Sequence, residues 1–131
     1  MRHKSHIESK KLFDQTAFVY HQRSDGLLYD FSSLIFNRRN NIVKKFLPFV
    51  DSKEKILDFG MGPGVFAKYC MENGYYYLGI DISPKMVERA KLLKLENAEF
   101  RVGDVDSLNK YKGEMDYALA IGLIDYVEDP L

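Results

Sequence analysis

A chain of 131 residues suits one domain and leaves no room for two comfortable ones. Hydrophobic residues make up 46% and charged residues 29%, the balance of a packed globular domain rather than a disordered or fibrous chain. Lys plus Arg equals Asp plus Glu at 19 each, so no bulk charge draws the chain to phosphate backbones or anionic membranes, and no nucleic-acid partner is expected.

One cysteine, Cys70, excludes an intramolecular disulfide and fits a reducing compartment. The basic start, MRHKSHIESKK, is not followed by the apolar core of a signal peptide. No stretch approaches the ~20 apolar residues of a membrane span. The expectation is a cytoplasmic protein with no membrane partner and no metal site.

In chain order, two regimes meet near Lys53, giving residues 1–52 as a helical cap and 53–131 as an α/β domain. A short helix is predicted over Lys10 to Gln22, before the turn signal Ser24-Asp25-Gly26. From Leu27 to Val50, Leu27, Leu28, Phe31, Leu34, Ile35, Ile42, Val43, Phe46 and Leu47 recur at helical spacing and predict one broad apolar stripe. Arg38, Arg39, Asn40, Asn41, Lys44 and Lys45 then face water or mark a break, and Pro48 ends the helix.

After Lys53, strand, turn and helix alternate. Ile56-Leu57-Asp58-Phe59 reads as a buried strand, Val65 to Asn73 as a helix closed by Gly74, and Tyr75 to Ile80 as a second strand. Ser83-Pro84 is a capping hydroxyl followed by a first-turn proline, and Met86, Val87, Ala90 and Leu93 give the helix after it an apolar face. Ala98 to Val102 and Tyr117 to Ile121 complete four strands. Such alternation predicts an α/β fold, a Rossmann-like parallel sheet with helices on both faces.

The glycine-rich turn Gly60-Met61-Gly62-Pro63-Gly64 lies between a predicted strand and a predicted helix, the context that gives it meaning. A ligand there would lie outside the carboxyl ends of the strands, where open α/β sheets bind ligands. The dinucleotide fingerprint G-x-G-x-x-G fails at Val65, and Pro63 removes one N–H that could meet a pyrophosphate. Asp81 closes the second strand 21 residues after Gly60, at about the distance of a ribose-binding carboxylate. Asp104 follows the third strand. Alone it would read as a turn acid; beside the others it points into the same crevice. Asp58 sits inside a strand, a costly place for an unpaired carboxylate, so it either pairs with a cation or faces the ligand.

Three segments in order, ILDFGMGPG, YLGIDISPKMVERAK and FRVGDVDSL, resemble the class I methyltransferases that use S-adenosylmethionine (SAM), and MDYALAIGLIDYVEDP looks like that family's fourth strand and following loop. The resemblance implies SAM as cofactor and a small-molecule methyl acceptor as partner. It implies that Gly60, Gly62 and Gly64 border the methionine part and that Asp58 faces its amino end. Asp81 would hold the ribose, Ile82 would pack on adenine, Asp104 and Val105 would read the adenine edge, and Ile121 and Gly122 would offer backbone groups. Met86 would either cover adenine or serve the helix core. Tyr20, in LFDQTAFVYHQR, would close over the ligand or play a structural part. Asp125 and Tyr126 are the candidates for contact with the acceptor, against an ordinary solvated turn.

The family's sheet has seven strands, so the resemblance also implies that three are missing after Leu131 and that an apolar fourth-strand edge is left open. An excised piece, a shortened gene product, or a half completed by a second copy or a partner chain would each account for it. Binding of SAM is thus implied more directly than turnover. The rival readings are a non-catalytic or partner-completed SAM-binding module and an NAD-type oxidoreductase domain.

Overall fold

The computed structural model describes residues 7–8, 10–15, 31–47, 49 and 53–121. After a helical stretch at residues 10–15, the elements run α1 (Phe31–Lys45), β1 (Lys55–Phe59), α2 (Ala67–Glu72), β2 (Tyr76–Asp81), α3 (Pro84–Lys91), β3 (Ala98–Val102), a 3₁₀ helix (Val105–Tyr111) and β4 (Tyr117–Leu119). The four strands form one parallel sheet in the order β3-β2-β1-β4. The predicted α/β class and the four strands are present. The 3₁₀ helix is an element the sequence pattern had not suggested.

Alternation along the strands sorts the core into two layers. Ile56 and Tyr77 join Met61, Phe66, Cys70, Val87, Ala90 and Phe100 on the face covered by α1, α2 and α3. Leu57, Leu78 and Ile80 pack with Tyr111 on the opposite face, under the 3₁₀ helix. Ser83 caps α3 as predicted: its hydroxyl accepts from the Met86 N–H, and Pro84 opens the helix. Gly74, at φ +90°, follows the end of α2 in the left-handed conformation expected of it.

The apolar stripe expected on the long helix needs correction. The helix runs unbroken from Phe31 to Lys45, but Leu34, Ile35, Ile42 and Phe46 face outward, Phe46 being 78% exposed. The face turned to the sheet carries Asn40 and Leu47, both buried, with Phe36, Arg39 and Val43 half-buried. Those positions have their own helical spacing of three and four. Asn40 tolerates burial because its side-chain oxygen accepts from the Arg39 guanidinium, whose charge also lies over the Phe36 ring at 4.6 Å.

Met61, 2% exposed, lies across the sheet at Gly79, which pairs in register with Asp58. A Cβ at position 79 would run into the Met61 sulfur and stand 2.9 Å from the Tyr77 ring. Gly79→Ala therefore overpacks the core and lowers unfolding stability by about 1–3 kcal/mol in urea denaturation. Met61→Ala in the same chain relieves the clash, so the two changes together cost less than their sum. Strict additivity would show that the contact is not what excludes a side chain at 79.

Candidate functional site

In this sheet order the strand sequence reverses at β1, which lies between β2 and β4. Ligands of open α/β sheets bind outside the carboxyl ends of the strands at such a reversal. The glycine loop leaves β1 at that point. Gly60, Gly62 and Gly64 adopt φ values of +73°, +57° and +82°, a conformation that would strain a side-chain-bearing residue at each, which accounts for the alternate spacing.

The loop is fastened to β2 through its own amides. Gly60 and Met61 both donate to the Ile80 carbonyl, at 2.8 and 3.2 Å, and Gly64 donates back to Met61 at 3.2 Å. Gly62 donates to Oδ2 of Asp81 at 2.8 Å. Pro63 has no N–H to give. Every amide from residue 60 to 64 is thus used inside the protein, and residues 61–64 are buried, with Gly60 half-buried at the start of the turn.

Asp81 lies at the tip of β2, buried, and uses both oxygens on backbone. Oδ1 accepts from the Ser83 N–H at 2.9 Å while Oδ2 holds Gly62. Burial pushes its carboxyl above the usual range, the two N–H bonds pull it down, and the charge of Asp14 adds to the rise. Asp14, in the helical stretch 10–15, accepts from the Ser83 hydroxyl, an anchor between residues 69 positions apart. The Gly103 N–H meets the Asp81 carbonyl at 3.0 Å, so the turn after β3 is tied to the same corner. Asp104, next in the chain, is half-buried and accepts from the Ser107 N–H at 3.1 Å, capping the 3₁₀ helix.

Asp58 is 2% exposed on the same face of the sheet as Tyr77. The Tyr77 hydroxyl, itself fully buried, donates to its Oδ2 at 2.6 Å. Burial raises the Asp58 carboxyl to about 7; the Tyr77 bond and the charge of Arg39 oppose the rise, and the charge of Asp81 adds to it.

The structure brings Gly60, Gly62, Gly64 and Asp81 together, with Asp104 tied to the same corner through Gly103. Ile82 and Ile121 are half-buried beyond the ends of β2 and β4, and Val105 is exposed at the start of the 3₁₀ helix. Met86 is 1% exposed among the buried residues of α3, a core position. Gly122, Asp125, Tyr126 and Tyr20 lie outside the described residues. The sequence pattern singles out neither Tyr77 nor Asp14, and it sets Arg39 among residues that face water or mark a break, whereas Arg39 is half-buried beside Asn40. Period-two alternation sets Tyr77, Gly79 and Asp81 on one face, and a buried tyrosine hydroxyl needs a partner, so Tyr77 could have been found that way. Asp14 carries no local signal. Cys70 is buried, and its thiol is pushed up to about 12, so it is no nucleophile at neutral pH. Among the described residues no cluster of His, Cys, Asp or Glu could hold a metal ion, and no helix is long and apolar enough to cross a membrane.

Asp58 has a sign-determined effect on stability. Its carboxyl lies near 7 in the folded state and near ~3.9 in the unfolded chain, so the folded state binds the extra proton. Its contribution is complete below about pH 4 and is lost as pH rises through about 7. Urea denaturation across that window should show stability falling toward neutral pH, with Asp58→Asn flattening the slope. An equally steep slope in the variant would exclude Asp58 as its source.

A profile of the methyltransferase-domain family matches residues 56–131. An uncharacterized methyltransferase of Schizosaccharomyces pombe is 35% identical over 72 residues, covering 53% of this chain and 50% of the relative. The 18S rRNA (guanine-N(7))-methyltransferase of Bos taurus is 32% identical over 73 residues, 55% of this chain and 26% of that enzyme. The ubiquinone biosynthesis O-methyltransferase of Xanthomonas campestris is 30% identical over 81 residues, 59% of this chain and 34% of that enzyme. The chain spans at most about half the length of these curated relatives.

Proposed function

We propose that this chain, which belongs to the family of class I SAM-dependent methyltransferase domains, binds SAM at the glycine loop and transfers its methyl group to a small-molecule acceptor. The observation that carries the reading is the state of the loop amides. A pyrophosphate-binding turn must present free N–H groups to the anion. Here the Gly60, Met61, Gly62 and Gly64 amides are satisfied within the protein and Pro63 has none, while Asp58, Asp81 and Asp104 lie at or beside the strand ends and Asp14 is bonded to Ser83 next to them. That field suits a ligand carrying a sulfonium and an ammonium, and opposes a dinucleotide with two phosphates.

Each end of the ligand then has a partner. Gly60, Gly62 and Gly64 border the methionine part with their backbone, the missing Cβ of Gly64 leaving room for Leu93, Ala90 and Phe100 beneath. Asp58 faces the ammonium, and Arg39, whose charge acts on Asp58, serves the methionine carboxylate. The Asp81 oxygens each keep a lone pair for a ribose hydroxyl after binding Gly62 and Ser83. Ile82 packs on adenine, and Asp104 and Val105 read its edge.

Bound SAM supplies a methyl group already activated by positive sulfur. The acceptor's lone pair forms the new bond to carbon while the carbon–sulfur pair returns to sulfur, and S-adenosylhomocysteine leaves. The protein's task is alignment and exclusion of water, and alignment can be worth ~7–11 kcal/mol. A base is needed only where the acceptor must lose a proton. The formal charge of zero supports a small acceptor over RNA, and likeness to an O-methyltransferase agrees with it. Likeness to an rRNA methyltransferase makes RNA the alternative to test.

Titration calorimetry should show S-adenosylhomocysteine binding in preference to NAD. Asp81→Ala should weaken it by about tenfold or more, since a charged acceptor and the loop clamp are lost together. Preference for NAD would reject the reading. Labelled methyl from SAM should reach small phenolic or carboxylic acceptors; transfer to rRNA fragments alone would reject the acceptor class.

A further inference from the structure

Tyr77 takes no part in the chemistry described so far, yet its hydroxyl is the one side-chain donor that meets Asp58 among the described residues. Asp58 lies opposite Gly79 in the β1–β2 register, so Tyr77 reaches it from two positions back on the same face. The bond is 2.6 Å long, buried at both ends, and engages Oδ2 only. Among the described residues none donates to Oδ1.

The direction of donation is fixed. Burial and the neighbouring charge of Asp58 hold the Tyr77 phenol well above its usual range, so it keeps its proton. A carboxylate bound through one oxygen by a permanent donor cannot turn freely about its terminal bond. A buried carboxylate also stays charged only if its other oxygen meets a donor or a cation.

We propose that Tyr77 is a positioning residue for the ligand's ammonium: by holding Oδ2 of Asp58 it presents Oδ1, and Oδ1 alone, to the amino group of the bound methionine moiety. This rests on the reading of the site as a SAM site and adds the atom that contacts the ligand and the residue that sets it. The charged and titratable groups facing Asp58 are Tyr77 and Asp81 from β2, Arg39 from α1 and Cys70 from α2. Of these, Tyr77 alone bonds to it. Loss of the phenol hydroxyl removes a bond that favours the ionised carboxylate, so the ammonium partner ionises at higher pH.

The test is the affinity of the protein for S-adenosylhomocysteine across neutral pH, by calorimetry, for the unsubstituted chain, Tyr77→Phe, Asp58→Asn and the double variant. Tyr77→Phe is expected to bind about tenfold more weakly at neutral pH and to recover affinity as pH is raised. In the Asp58→Asn background the same change is expected to have little further effect. A Tyr77→Phe protein that binds with an unshifted pH profile, whether at full affinity or uniformly weakened, would overturn the proposal and leave the SAM site standing. So would an equal loss in the Asp58→Asn background. Absence of binding by the unsubstituted protein would overturn both.

Discussion

The carboxylate of Asp81 is the fastening on which the site depends. A loop with three residues at positive φ has no intrinsic reason to keep one shape, and ordering it carries a conformational cost. The bond from Gly62 to Oδ2 and the two amides on the Ile80 carbonyl fix the loop against the end of β2. The other oxygen holds the Ser83 N–H, and Ser83 in turn starts α3. One acid therefore sets the loop after β1, the tip of β2 and the origin of the next helix relative to one another. An isolated buried ion would be unfavourable there; two N–H donors keep it tolerable.

Electrostatics and packing act on different layers of the same face. Toward the ends of the strands the groups are acidic and their carboxyls are held up by burial, so a cation entering there is favoured. Deeper in, Met61, Tyr77 and Phe100 fill the space between sheet and helices, and Gly79 leaves room for the methionine of the loop. The loop is thus held at its backbone by polar bonds and at its one long side chain by close packing. Neither alone would place Asp58 at a definite distance from the glycines.

Much of this was legible in the residues. Local signals did well where a single physical rule governs: Ser83 with Pro84 started a helix, Gly74 followed one, and glycine spacing marked the turn. The strands were visible as short apolar runs because a parallel sheet is covered on both faces. The long helix is legible and so are Val43 and Leu47 on its buried side, but apolar count also favours Leu34, Ile35, Ile42 and Phe46, which face outward, and assigns Asn40 to water or a break where the structure buries it. A polar residue satisfied by its neighbour can occupy an interior position that hydrophobicity would assign elsewhere. Spacing marks Asp81 as a ligand-binding acid, but its hold on Gly62 and Ser83 depends on tertiary geometry that spacing does not encode. The bond from Asp14 to Ser83 is of the same kind.

That last bond has a consequence for the order in which the chain assembles. Asp14 is made early, and its partner 69 residues later exists as a partner only once β2 has ended and α3 has begun. Closing so large a loop carries an entropic cost that this part-buried hydrogen bond does not offset by itself, so the sheet must be largely built before the N-terminal stretch can settle on it. Docking of residues 10–15 is then a late event in folding, and its release does not require the sheet to open.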